Sequence, residues 1–411
     1  MIEKFYSGDE CGIITDIYVI SNDKNEGVLV DTTYKFDTLY ETITKKYDIK
    51  AVIITHSHID HVDGLKFFNK TNIPIYMSKE TKEALSDSKA SSYYIIGEES
   101  PFKKNDLNII VVEDSENLNI IGYDFKFLLT RGHTTGSITI VIDSLKAIFS
   151  GDTLFPGRHG MTTYYSGNHK DMLKSIDKIL SYPDDYLIYP GHYENVLVKD
   201  LKFLKDLNIE LFTYGKGFRV DTNVYLVSNG DDAIIFDTSF EFDKVLKIIN
   251  ERYNLKGIFI THSHMDHIDG LKYFIGSEIP IYMSEETERT MYDRNITSYY
   301  MINENPPFKK GDLNIIHVKD NDIVDIIGKK VKVISTPGHQ KGATSYLISH
   351  AIFSGDTIFK GRHAWTTYPT GDETDMKNTL KKLLSYPENY YIYPGHDDLV
   401  TVRDSLFLLN E

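Results

Sequence analysis

A single cysteine, Cys11, stands among the 411 residues. It excludes an intrachain disulfide and removes thiolates as the basis of a metal site, so it reads as a small strand or loop residue. Long apolar runs are missing as well. No uninterrupted hydrophobic stretch approaches the ~20 residues that span a bilayer, and the start, Met1 to Glu10, has no basic segment followed by an apolar one. The expectation is a cytoplasmic protein with no membrane partner. Positive charge is in deficit: 45 basic against 60 acidic side chains give a formal net charge of −15. Pairs such as Lys103-Lys104 and Lys309-Lys310 are too short to form a basic patch, which argues against nucleic acid and for a small-molecule substrate. What is present is apolar material. Hydrophobic residues make up 41% and aromatic ones 12%, ample for two or three buried cores.

The chain is one domain written twice. Ala51-Val-Ile-Ile-Thr-His-Ser-His-Ile-Asp-His-Val-Asp-Gly-Leu65 returns as Gly257-Ile-Phe-Ile-Thr-His-Ser-His-Met-Asp-His-Ile-Asp-Gly-Leu271. Ile73 to Ser78 returns as Ile279 to Ser284, Ala147 to Thr153 as Ala351 to Thr357, and Tyr189 to His192 as Tyr393 to His396. These pairs divide the chain into domains 1–207 and 208–411. No Gly/Ser- or Pro-rich linker separates them, so the copies are expected to be closely coupled and to pack as an intramolecular pseudo-dimer.

Within each copy, short apolar runs alternate with amphipathic stretches. Strands are expected at 18–21, 28–31, 51–54, 73–77, 109–112, 125–129, 138–142, 147–149 and 186–189, and helices at 36–47, 62–69, 79–85, 170–180 and 196–207. Many strands with interspersed helices suggest sheets packed face to face and covered outside by helices, an α/β sandwich.

Four potential metal ligands sit within six positions at the end of the Ala51 run. Extended backbone puts His56 and His58 on one side, where both imidazoles reach one ion, while Asp60 and His61 turn away towards a second. His133, Asp152 and His192 lie in loops after strands, each preceded by a glycine that lets the backbone approach an ion closely. Imidazole and carboxylate without thiolate suit zinc first, with iron or manganese as alternatives. Asp31/Asp237 and Asp63/Asp269 are candidates for fixing the imidazole tautomers. Ser92 to Tyr94 with Pro101-Phe102, and their repeats at 298–300 and 307–308, read either as an aromatic flap over the substrate or as packing elements. His159, Tyr164 and Tyr165, against His363 and Trp365, follow the Asp152 and Asp356 loops and are candidate pocket-lining residues.

His-x-His-x-Asp-His, then Gly-His, Gly-Asp-Thr and Pro-Gly-His, resembles the motif series of the metallo-β-lactamase-fold hydrolase superfamily, and the likeness runs through each half. It implies an αββα sandwich in two tandem copies. It also implies one ion held by His56, His58 and His133, a second by Asp60, His61 and His192, and Asp152 bridging both. In the second copy the matching sets are His262, His264 and His339, then Asp266, His267 and His396, with Asp356 as the bridge. Two such ions per domain would hold a bridging hydroxide for attack on a small ester or thioester, with Asp60 and Asp266 as catalytic carboxylates orienting it.

The segment Ser150-Gly-Asp-Thr-Leu-Phe-Pro-Gly-Arg158, repeated as Ser354-Gly-Asp-Thr-Ile-Phe-Lys-Gly-Arg362, is most similar to the glyoxalase II (hydroxyacylglutathione hydrolase) branch. The helical glutathione-binding extension of that branch has no counterpart after His192 or His396. A mononuclear-iron persulfide dioxygenase and a lactone hydrolase of the same fold are the enzymatic alternatives, and a non-catalytic metal-bound module is a third class. The bridging aspartates count against a zinc β-lactamase. The acidic, insertion-free chain counts against RNA-processing members, and His58 and His264 count against flavodiiron enzymes.

Overall fold

The computed structural model describes residues 1–8, 14–103, 107–214 and 221–410; the expectations placed on Cys11 and Lys104 lie outside them. The chain divides into two compact units, Met1–Lys205 and Asp206–Glu411.

The first unit opens with strands β1 (Ile2–Gly8), β2 (Ile14–Ser21) and β3 (Glu26–Val30), then helix α1 (Asp37–Lys46) and strand β4 (Asp48–Ile53). A short helix α2 (Ile59–Val62), strand β5 (Ile75–Met77), helix α3 (Lys79–Ala84) and strand β6 (Ile109–Val111) follow. The six strands form one sheet in sequence order. Strands β3 to β6 are parallel, as helical crossovers require. The second sheet takes β7 (Asn117–Ile120), β8 (Tyr123–Leu129), β9 (Ile138–Ile142), β10 (Ala147–Gly151), a hairpin of β11 (Leu154–Phe155) and β12 (Arg158–His159), helix α4 (His169–Ile179), β13 (Leu187–Pro190), β14 (Val196–Leu197) and helix α5 (Val198–Leu201). Its order is β14-β13-β10-β9-β8-β7, with the β11–β12 hairpin standing apart.

Alternation along the strands sets the layers. Tyr18, Ile20, Val28, Val30, Ala51 and Ile53 pack on Phe125, Phe127, Ile138, Ile140 and Phe149 of the second sheet. Their neighbours Ile17, Val19, Leu29, Val52 and Ile54 point the other way, onto Phe36, Ile43 of α1, Leu65 and Phe68. Successive side chains of a strand face opposite sides, so a strand apolar at every position is buried on both faces. The second unit repeats both sheets and the hairpin in the same order. There the outer layer is visible as Met376, Leu380 and Leu383 of the helix Glu373–Leu383, packed on Ile334, Ile352 and Ile392. Helix, sheet, sheet and helix make each unit an αββα sandwich, as expected.

Local departures have local causes. The helix expected at 62–69 begins earlier, at Ile59, and tightens into a 3-10 helix from Asp63 to Phe68. Gly64 lies so close to Phe36 that a Cβ would come within 2.6 Å of the ring. The stretch at 196–207 is not one helix: Val196 and Leu197 pair with β13, and only four residues are α-helical before a 3-10 turn. Strands β1, β7, β11, β12 and β14 were not expected; most are short or half-exposed edges with little apolar signal.

Tyr18, Phe149 and Tyr189 meet ring against ring between the sheets, with centroids 5.0 to 5.4 Å apart. Phe149→Ala should remove about 3–5 kcal/mol from the unit that carries it, the usual cost of emptying a buried aromatic site. Urea denaturation followed by tyrosine fluorescence would read this.

Candidate metal centre

The centre is assembled from chain ends of both sheets. The loop after β4 delivers His56 and His58, the first turn of α2 carries Asp60 and His61, and the loops after β8, β10 and β13 supply His133, Asp152 and His192. The His133 loop is clamped from outside: Ser78, the N-cap of α3, and Thr81 both donate to the Gly136 carbonyl, at 2.6 and 2.9 Å. All seven expected residues are brought together. Ligand atoms of His56, His58 and His133 lie within 4.8 Å of one another, as do those of His56, His61 and Asp152, and of Asp60, His61 and His192. In the second unit the same holds for His262, His264, His339 and Asp356, and for Asp266, His267 and His396. Asp152 stands between the sets, with Oδ1 3.3 Å from His61 Nε2 and Oδ2 3.2 Å from His192 Nε2 and 3.5 Å from His133 Nε2. Asp356 repeats this at 3.3, 3.4 and 3.6 Å from His267, His396 and His339.

Hydrogen bonds on the outer nitrogens fix which inner nitrogen carries a lone pair. His61 Nδ1 donates to Asp31 Oδ2 (3.0 Å), His133 Nδ1 to the Met161 carbonyl (2.8 Å) and His192 Nδ1 to the Ile14 carbonyl (2.6 Å). Thr55 Oγ1 donates to Asp31 and accepts from His56 Nδ1 (3.1 Å), which leaves His56 Nε2 inward. The inner nitrogens then crowd: His133 Nε2 and His58 Nδ1 are 2.9 Å apart, His61 Nε2 and His192 Nε2 3.4 Å. At such distances a shared proton or a metal ion is what links two ring nitrogens. His56 Nε2, Asp152 Oδ1, His264 Nε2 and Asp356 Oδ1 are buried without a hydrogen-bond partner, and a buried polar atom of that kind calls for a ligand. The donor set therefore fits divalent metal.

Charge divides each centre in two. Burial drives His56 and His262 well below the ordinary imidazole value and His58 and His264 to about 3, so these rings are neutral. Burial also opposes charge on His61 and His192, but the carboxylates around them prevail: His61 is raised well above its ordinary value, and His192 to about 10. Likewise burial would raise Asp60 and Asp152, and the imidazoles beside them hold both well below the carboxylate range. The Asp60, His61 and His192 side is thus where positive charge is most strongly stabilised.

Support residues partly match the expectation. Asp31 and Asp237 do orient an imidazole, and each also accepts from the backbone N–H and hydroxyl of Thr55 or Thr261. Asp63 and Asp269 do not. Their carboxylates accept from the buried Tyr93 and Tyr299 hydroxyls (2.9 and 3.0 Å) and from Lys66 and Lys272. That ties the 92–102 segment down through the buried Tyr93 and Phe102, while Tyr94, Ile95 and Ile96 between them are exposed. Behind Asp152, a Cβ on Gly191 would lie 2.4 Å from Oδ1 and 2.6 Å from His61 Cε1, so only glycine fits there. His159 turns from the centre: its Nδ1 donates to the Gly160 carbonyl and its ring faces His169. Tyr164 sets its ring edge-on to His58 and His133, 5.1 and 5.6 Å away, and Tyr368 matches it on His264 and His339. Thr15 and Thr222, which donate to Asp60 and Asp266 at 3.2 and 3.1 Å, were not foreseen. A threonine in a β-strand carries no signal of that role.

The metallo-beta-lactamase superfamily model matches residues 12–192 and again 217–396. The chain belongs to that superfamily. A probable metallo-hydrolase, YqgX of Bacillus subtilis (strain 168), is 33% identical over 34% of this chain and 67% of its own. The hydroxyacylglutathione hydrolase of Prochlorococcus marinus (strain MIT 9312) is 32% identical over 35% of this chain and 51% of its own, so the chain spans about half the length of that relative. Among solved structures, the BLEG-1 B3 metallo-beta-lactamase has 23% identity and a TM-score of 0.44, covering 50% of this chain and 96% of that one. The match to the superfamily model carries the assignment, and within the superfamily the chain is similar to the hydroxyacylglutathione hydrolases of the glyoxalase II-like branch. Among the described residues no helix is long and apolar enough to cross a membrane.

Asp31→Asn should weaken metal binding in the first unit by about 10–100-fold, as loss of an imidazole-orienting carboxylate does elsewhere. Competition with a chromophoric chelator measures it, and Asp63→Asn, equally buried but turned to Tyr93, should leave metal affinity at the wild-type level. Gly191→Ala should also lower metal occupancy, by displacing Asp152.

Proposed function

We propose that each unit is a dinuclear metal-dependent hydrolase acting on small thioester or ester substrates. The observation that carries this reading is the carboxylate, Asp152 or Asp356, flanked by imidazoles of both sets. A single ion would leave half of those buried groups unused. His56, His58, His133 and Asp152 would hold one ion, and Asp60, His61, His192 and Asp152 the other, with the matching residues in the second unit. Two such ions, zinc first, supply a nucleophilic water at neutral pH and polarise a carbonyl.

The chain's own groups do the rest. Asp60, steadied by the Thr15 hydroxyl, accepts a hydrogen bond from the attacking water and aims its lone pair at the acyl carbon; Asp266 with Thr222 does so in the second unit. The water oxygen bonds to the acyl carbon, the carbon–sulfur bond breaks, and the water's protons pass to the thiol and to solvent, leaving a carboxylate. Tyr164 and Tyr368 wall the His58/His133 and His264/His339 sides and exclude competing water. Hydroxyacylglutathione hydrolases among the relatives support a thioester as substrate.

Elemental analysis of the purified chain should find close to four divalent ions, two for each dinuclear site. Asp152→Asn or Asp356→Asn should each remove turnover of an acyl thioester at one unit, and the double variant should lose at least ~10³-fold, the scale of losing electrostatic stabilisation of an oxyanion. Two irons per chain with thiol-dependent oxygen uptake, or thioester turnover intact in the double variant, would end this reading.

A further inference from the structure

The two sites differ where one arginine meets the residue after His192 or His396. Arg158, on β12, and Arg362, on the matching strand Arg362–His363, occupy equivalent places. In the second unit Asp397 follows His396. Its Oδ2 lies 3.0 Å from Arg362 Nη2, and both side chains are 49% exposed, so the cation is neutralised at the surface. In the first unit Tyr193 follows His192. Arg158 is half buried, its guanidinium 5.0 Å from the Tyr193 ring and 5.9 Å from that of Phe155, with Nη2 donating to the Tyr193 hydroxyl. No described carboxylate pairs with it.

This cation is close to the centre. Phe155 and Tyr193 themselves stand 5.9 and 6.3 Å, ring to ring, from His192. The other nearby cation, Lys4, is already bound to Asp16 at 2.7 Å and to the Tyr193 carbonyl at 3.0 Å. Residue 193 has φ of 74° and residue 397 of 63°. Aspartate tolerates that left-handed conformation and tyrosine does so at a cost, so the first unit keeps a disfavoured residue where its copy has a favoured one. Local strain of this sort at a site is a pointer to function.

We propose that Arg158 recognises a carboxylate on the substrate of the first unit, and that Asp397 denies the second unit this subsite, so that the two sites divide substrates by charge. The inference rests on the hydrolase reading for its substrate class. A flat guanidinium stacked on rings and without a carboxylate partner among the described residues is pre-arranged for bidentate pairing with one.

The test uses the full, zinc-loaded chain with one unit silenced. With Asp356→Asn, the S-acetyl thioester of N-acetylcysteine, which bears a carboxylate, should exceed that of neutral N-acetylcysteamine by about tenfold in kcat/KM, mainly through KM, as one charge-assisted contact gives. Arg158→Met should erase that preference, and Arg158→Lys should keep part of it, which guards against a folding defect. With Asp152→Asn instead, the preference should be absent, and Asp397→Tyr should create it. Arg158→Met lowering both substrates in equal proportion, or neither, overturns the inference and makes Arg158 a structural cap. If neither thioester is hydrolysed, the hydrolase reading fails separately. Calorimetry with the inert thioether S-ethyl-N-acetylcysteine then decides: binding about tenfold weaker in Arg158→Met upholds the subsite, and equal binding overturns it.

Discussion

Imidazoles and carboxylates crowded together in a buried space are the constraint on which each unit is built. His133 and His58 approach to 2.9 Å, and His339 and His264 to the same distance. So many polar groups taken out of water together are costly unless protons or metal ions pair them, so the scaffold must hold them in place. Two sheets contribute their ends, and the tightly packed core between them makes those ends rigid. Asp31 serves two ligands at once, directly on His61 and through Thr55 on His56. Gly191 lets the Asp152 carboxylate pass where any side chain would block it. Each device is local, and each is needed because the cluster is otherwise unfavourable.

That these seven side chains of each unit converge was legible in the string, because metal chemistry restricts residue type and strand-end spacing restricts position. The αββα layering was legible for a similar reason: doubly buried strands are apolar at every position. What held the ligands was less so. Main-chain carbonyls of Met161 and Ile14 leave no trace in residue type, and Thr55 is an ordinary strand-end threonine. Asp63 carried the same apparent promise as Asp31, yet its partner turned out to be the phenol of Tyr93, thirty positions away. The flap likewise split, since Tyr93 and Tyr94 point to opposite sides and only one is exposed. Edge strands such as β14 escaped notice because two residues give no period to read.

Duplication supplies an internal control. Where the two units agree, in the outer hydrogen bonds of His61 and His267 or the ring contacts of Tyr164 and Tyr368, the agreement marks what the centre demands. Where they part, the change is compensated nearby. Gln340 stands in place of Thr134, and its amide oxygen accepts from the Ser263 backbone and hydroxyl while its nitrogen donates to the Ile296 carbonyl. The first unit instead joins Thr134 to Ser137. Different chemistry in this layer leaves the inner geometry nearly the same.

Of the outer nitrogens of His56, His61, His133 and His192, the last two are satisfied by carbonyl oxygens, and a carbonyl is present whatever residue bears it. His133 binds the carbonyl of Met161 and its counterpart that of Trp365; His192 binds that of Ile14 and its counterpart that of Asp221. Side chains as unlike as methionine and tryptophan, or isoleucine and aspartate, thus hang from identical anchors. Mutation can rewrite the rim of either pocket without loosening a ligand. A duplicated domain built this way begins with its buried polar cluster insulated from its rim, so the rim of one copy is free to change while the cluster of both stays in place.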